Sequence, residues 1–99
     1  TINRVQLSGQ ILSVQPIRYT PAGIPVTEAT LGHHSEQQEA GLKRQVTCEV
    51  SVKALGNLAH QLAAAQTGTS LIATGFLATK SLKSRQLILH LESIEFQET

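Results

Sequence analysis

One cysteine, no tryptophan, no methionine and three aromatic side chains are all that these 99 residues hold of those types. A single cysteine, Cys48, excludes an intrachain disulfide framework, so a reducing cytoplasm is the expected home. The longest apolar run is a few residues, so no membrane-spanning helix is expected, and no basic-then-apolar leader opens the chain. With aromatics limited to Tyr19, Phe76 and Phe96, little is available for stacking. There is no glycine-rich phosphate loop, no nucleophile elbow and no paired-carboxylate signature, so the chain does not read as an enzyme. Charge of one sign is not in excess either: the formal net charge is +1, too small to announce a nucleic-acid binder by itself.

Apolar residues make up 40% and charged residues 15%, a globular balance with enough chain for one core and one domain over residues 1–99. The charges are unevenly placed. Lys80, Lys83 and Arg85 fall in a stretch without an acid, whereas Glu92, Glu95 and Glu98 gather near the C-terminus.

Hydrophobic periodicity predicts five strands and a helix. In NRVQLSGQILSV, residues 3–14, Val5, Leu7 and Ile11 alternate with polar residues, and Gly9 marks an expected bulge or sharp bend. The proline-rich PIRYTPAGIP reads as an irregular loop. Residues 26–34 and 44–53 read as extended, joined through Gly41 into a long hairpin. Leu55, Leu58, Ala59, Leu62 and Ala65 then follow one face of a three-turn helix, with Asn57 as candidate N-cap and Gly68 as candidate stop. TSLIATGFLAT, residues 69–79, is apolar on both phases, as a strand covered on both sides would be. Leu87, Leu89 and Leu91 alternate in the last strand before the phase slips to Ile94 and Phe96, which places a bulge near Ser93. Three strands, a helix and two strands is the order of an OB-fold, an all-β Greek-key barrel of five strands with a short helix between strands 3 and 4. The connections RYTPAG and KSLKSR would frame its binding face.

The stretch LGHHSEQQEAGLKRQVTCEV, residues 31–50, concentrates histidine, glutamate and cysteine. Neighbouring strand residues face opposite ways, so His33 and His34 cannot both ligate one ion from a regular strand. Cys48 shares its phase with Val46, Val50 and Val52 and is expected to be buried, which suits neither a metal ligand nor a reactive thiolate. Glu36 and Glu39 belong to a solvated hairpin tip. No metal and no cofactor is expected. The chemistry of the hairpin lies on one face, with Thr30, His34, Gln45, Thr47 and Glu49 and with Lys43 and Arg44 near the tip. In OB-folds the corresponding strands commonly carry oligonucleotides, although a solvated hairpin with no ligand fits the composition as well.

NRVQLSGQI at 3–11, TPAGIPV at 20–26, HHSEQQEAGLKRQVTC at 33–48 and GFL at 75–77 resemble the primosomal replication protein N (PriB) family, relatives of bacterial single-strand-binding protein. The likeness runs from about residue 1 to residue 97, and the QEAGLKRQ tip is its specific part. Single-strand-binding proteins continue into a long Gly/Pro-rich tail, which is not expected here because the sequence stops at Thr99. The resemblance implies a non-enzymatic homodimer of OB-folds in the bacterial cytoplasm, away from membranes. Such a protein binds single-stranded DNA and docks on the PriA helicase, with DnaT among the other primosome partners.

It also implies a DNA face. The basic position after the first strand is filled by Arg18 or its neighbour Tyr19. His34 stands where an arginine is usual, Thr47 where some members place a stacking tryptophan, and Lys80, Lys83 and Arg85 fill the basic loop between strands 4 and 5. Arg44 serves either DNA or the helicase. Tyr19 fits a stacking residue or a partly buried loop anchor equally well, and Phe76 is read as core. The rival functions are a stand-alone single-stranded DNA-binding protein and a protein-interaction module with little DNA affinity.

Overall fold

Alternation governs the first element of the computed structural model, which describes residues 1–97. Strand β1 (Val5–Val14) turns Ile11 wholly inward and leaves Gln6, Ser8 and Gln10 outside, as a half-covered strand should. The proline-rich segment is less irregular than expected. It contains a two-residue strand, β2 (Arg18–Tyr19), paired with the start of β3 (Pro25–Glu39). Gly23, with φ 83°, makes the turn between them, and Thr20 N–H donates to the Ile24 carbonyl at 2.9 Å.

β3 and β4 (Leu42–Leu55) pair without interruption from Val26↔Leu55 to Glu39↔Leu42. Ala40 and Gly41, at φ 53° and 78°, form the connection, the double positive-φ turn whose twist matches a two-residue hairpin. Fifteen residues of β3 span on the order of 50 Å, and the longest dimension of the molecule is 50 Å.

Helix α1 (Asn57–Ala63) is shorter than the periodicity predicts. β4 runs on to Leu55, so that leucine belongs to the sheet, and Gly56 at φ 71° is the N-cap in place of Asn57. The inward helical residues are Ala59 and Leu62. The buried Thr27 hydroxyl donates to the Ala59 carbonyl at 2.8 Å and ties the helix to β3.

β5 (Ser70–Thr79) and β6 (Leu87–Gln97) complete the fold. The order β1-β5-β6-β4-β3 closes on itself through a β1–β3 pairing, and β2 hangs outside that ring. The expected five-stranded barrel is therefore corrected to a closed ring of five strands with a sixth, short strand added. Ile11, Leu31, Val52, Leu71 and Leu89 fill its interior, with Leu62 of the helix against them.

Both sheet irregularities lie within a few residues of where the pattern placed them, each at a different residue from the expected one. In β1 the slip falls at Leu12, between Ile11↔Leu31 and Ser13↔Thr30, while Gly9 stays in register with Leu71. Gly9 is needed for a different reason: a Cβ there would sit 2.6 Å from the Gly32 carbonyl oxygen, where β1 crosses from β3 to β5. In β6 the slip falls at Glu92, between Leu91↔Gly75 and Ser93↔Thr74. Phe76 is a correction. It is 39% exposed and stacks on His90, with ring centroids 5.0 Å apart, instead of entering the core. Glu98, grouped above with Glu92 and Glu95, lies outside the described residues.

Candidate functional site

Register sorts the hairpin side chains. His34 lies opposite Thr47, Gly32 opposite Glu49 and Glu36 opposite Gln45, so these share one face. His34 Nδ1 and Thr47 Oγ1 are hydrogen-bonded at 3.2 Å, and Gln45 Nε2 donates to Glu36 Oε1 at 3.2 Å.

The opposite face carries His33 beside Cys48. His33 Nδ1 donates to the Ser8 carbonyl at 2.7 Å, which leaves Nε2 to accept from the Ser35 hydroxyl at 2.8 Å. These bonds extend the junction of β1 and β3 beyond its last ladder pair, Gln10↔Gly32. Cys48 corrects the sequence expectation: it is exposed. Its phase is the core phase, yet the hairpin runs past the end of the ring, so cover fades from Val52, fully buried, through half-buried Val50 to Cys48.

An open groove of about 480 Å³ runs between β1 and the hairpin, lined by Leu12, Gly32, His34, Thr47 and Glu49 and also by His33 and Cys48 of the other face. Leu12, pushed out by its bulge, packs on Gly32 so closely that a Cβ on that glycine would lie 3.1 Å from it. A neighbouring recess of about 430 Å³ is shared by Glu49 and Ser51 of β4 with Lys80 and Gln86 of the β5–β6 loop. That loop is held by its own backbone: Lys80 N–H donates to the Gln86 carbonyl at 2.8 Å and Ser84 N–H to the Ser81 carbonyl at 3.1 Å. Lys80, Lys83 and Arg85 project from it, exposed. Among the described residues the ion pairs are Arg18–Glu28 and Arg44–Glu39, so the three loop cations keep their charges uncompensated.

The structure thus gathers part of the expected set. His34, Thr47 and Lys80 border one continuous surface, with Lys83 and Arg85 on the same loop as Lys80. Arg18 and Tyr19 do not join them. They pair with Val26 and Pro25, eight residues of β3 from His34, on the order of 27 Å of strand. Arg18 donates to Glu28 Oε2 at 2.7 Å, and Tyr19 is 61% exposed, so it is not a buried anchor. Arg44 lies on the face away from His34 and Thr47 and donates to Glu39 Oε1 at 2.7 Å. Leu12 lines the groove unannounced by sequence reasoning. Its signal was an apolar residue directly beside Ile11, out of phase with a period-two strand.

His90 lies apart from the groove, in a cross-strand row Glu28–Lys53–His90–Phe76. Partial burial holds its pKa below 6.5, Lys53 lowers it further, and Glu28 opposes them.

Comparison with known proteins gives consistent results. A family model described as another single-strand binding protein family matches residues 3–93. The replication restart protein PriB of Nitrosomonas europaea is 40% identical over 88 residues, covering 89% of this chain and 82% of that protein. The structure of PriB from Ralstonia solanacearum superposes with a TM-score of 0.89 at 33% identity, covering 99% of this chain and all of that one. The single-stranded DNA binding protein from Thermus aquaticus, at 24% identity, shares the fold with a TM-score of 0.79 over 98% of this chain and 50% of its own.

Proposed function

The chain belongs to the PriB replication restart proteins of the single-strand binding protein family, and from that premise we propose that it is a non-enzymatic accessory protein of the replication-restart primosome, binding single-stranded DNA mainly through charge. The observation that carries this reading is the placement of Lys80 beside Glu49 and Ser51, which share a face of the hairpin with His34 and Thr47, on a loop whose Lys83 and Arg85 form no ion pair among the described residues. Lysine and arginine on phosphates release counterions, which makes such binding steeply salt-dependent and largely blind to sequence. Thr47 and His34 supply a hydrogen-bonded polar pair where an aromatic would stack a base, so phosphate contacts dominate.

Homodimerisation is part of the proposal. The first half of β1, Val5–Gly9, pairs with β5, and its pairing with β3 begins only at Gln10. The strand edge left between invites a second copy, which would add a second basic loop. Arg44, turned away from the groove, is assigned to protein contact with the PriA helicase; DnaT and other primosome proteins follow from family membership alone. A module that binds partners with little DNA affinity is the second reading, favoured by the small side chain of Thr47.

Fluorescence anisotropy of labelled oligo-dT tests the proposal. Replacing Lys80, Lys83 and Arg85 together by alanine should weaken binding by tenfold or more at low salt, an order expected when several phosphate contacts are lost. Arg18→Ala, removing a cation already held by Glu28, should change it little. Equal loss in both variants would place the DNA site elsewhere, and no binding by the wild type at any salt would leave the partner-binding module.

A further inference from the structure

Glu49 is out of place on a surface built only for phosphate. Three other glutamates of the hairpin and its neighbourhood have donors: Glu28 holds Arg18 at 2.7 Å, Glu39 holds Arg44 at 2.7 Å and Glu36 accepts from Gln45 at 3.2 Å. Glu49 has no donor among the described residues, is exposed, and forms the wall common to the groove and to the Lys80 recess. A carboxylate there opposes a nearby phosphate. It serves binding if it meets the other end of a nucleotide.

The surroundings suit a base. Directly across the ladder from Glu49 stands Gly32, which has no side chain of its own, so the cross-strand neighbour of the carboxylate is Leu12 lying over that glycine. Leu12 covers Gly32 and is 44% exposed, an apolar surface against which a ring can lie. Lys80, on the other side of Glu49, is placed for the phosphate that flanks such a base. Rested on the proposed single-stranded DNA role, the geometry points to a base-selective subsite in which Leu12 supports the ring of a guanine and Glu49 reads its edge.

The selectivity follows from donor chemistry. An ionised carboxylate only accepts hydrogen bonds. Guanine presents N1–H and the N2 amine side by side, two parallel donors that match the two carboxylate oxygens, the same fork that makes paired charge-assisted bonds strong. Cytosine and adenine offer an amine next to a ring acceptor. Thymine offers one N–H between two carbonyl oxygens, both of which the carboxylate repels. The order of preference is therefore guanine first, cytosine and adenine next, thymine last. A surface that otherwise ignores sequence thus gains a local bias, set by a residue that weakens its overall charge.

The experiment compares two labelled oligonucleotides of equal length by anisotropy: one all thymine, the other with guanines interspersed singly among thymines. Wild type should bind the guanine-containing strand about fivefold more tightly, the low end of what a good paired contact gives. Replacing those guanines by hypoxanthine, which lacks the N2 amine, should remove most of the preference. Glu49→Gln should bind all-thymine DNA at least as tightly as wild type while its ratio between the two strands falls toward one. Lys80→Ala should weaken both strands alike. Equal affinity of the wild type for the two strands, or a preference that survives Glu49→Gln, overturns the subsite and leaves the DNA role standing. Failure to bind either strand would remove the DNA role and the subsite with it.

Discussion

His90 shows how much a single side chain owes to its neighbours. Packed on Phe76 and set beside Lys53, it is held neutral below its ordinary pKa of 6.5, burial being the larger cause and Lys53 the second, with Glu28 pulling the other way. The unfolded chain therefore binds a proton at His90 more readily than the folded one. The stability tied to neutral His90 is complete above 6.5 and is lost as pH falls through the lower folded-state value. Thermal melts from about pH 7 down to about pH 5 should show a falling Tm, and His90→Gln should flatten that slope. A Tm that rises on acidification in this window would contradict the assignment. At this scale the sequence revealed partners and not cover. Period-two phase put His34 and Thr47 on one face and His33 and Cys48 on the other, and the ladder agrees. The same phase could not say that the hairpin outruns the ring, which is why Cys48 is exposed and not buried. Phe76 was misjudged for the same reason, and of the two readings of Tyr19 exposure removes the buried anchor, since exposure depends on what packs above a residue.

Elements were more legible than residues wherever a break in pattern had a local cause. The phase slip after Leu91 announced the β6 bulge, found at Glu92, one residue from Ser93. Gly75, across from that bulge, has no room for a side chain: a Cβ would strike the His90 carbonyl, whose carbon would lie 2.8 Å away. Gly75→Ala should therefore cost about 1–3 kcal/mol or more, the range for overpacking a closed site, read as a lower urea midpoint with an unchanged m-value. A neutral result would mean that β5 and β6 can separate there freely. The long hairpin was visible from Gly41 and the flanking alternation, although its strands extend well beyond the expected 26–34 and 44–53, because the polar tip pairs through its backbone whatever its side chains prefer. β2 was hidden inside a proline-rich stretch, where two residues are too few to show a period. The helix gave up Leu55 to β4 for a tertiary reason: Gly56 N–H donates to the Pro25 carbonyl at 3.0 Å and holds that end of β4 in the sheet.

For the whole molecule, a net charge of +1 conceals a polarised surface. Among the described residues Lys80, Lys83 and Arg85 form no ion pair, while Arg18 and Arg44 are occupied by Glu28 and Glu39. Those exposed pairs add little stability, but they sort the cations into committed and available ones, which no count of residues could do. Ring closure has the same character. It rests on β1 dividing its length between β5 and β3, a long-range arrangement that the strand order suggested and that Gly9 permits by its close approach to Gly32. The proposed second copy would use the edge left on Val5–Leu7, because His33 already takes the Ser8 carbonyl.

The central claim, that the uncompensated loop holds single-stranded DNA by charge, is tested most directly by the salt slope of oligo-dT binding. With about 0.7 counterions released per phosphate contact on single strands, three loop cations should contribute roughly −2 to the slope of log K against log salt for each protomer engaged. The wild type should show a slope at least that steep, and the variant lacking Lys80, Lys83 and Arg85 should lose about that much of it. A flat wild-type slope, or a steep one that the loop variant leaves unchanged, would contradict the account.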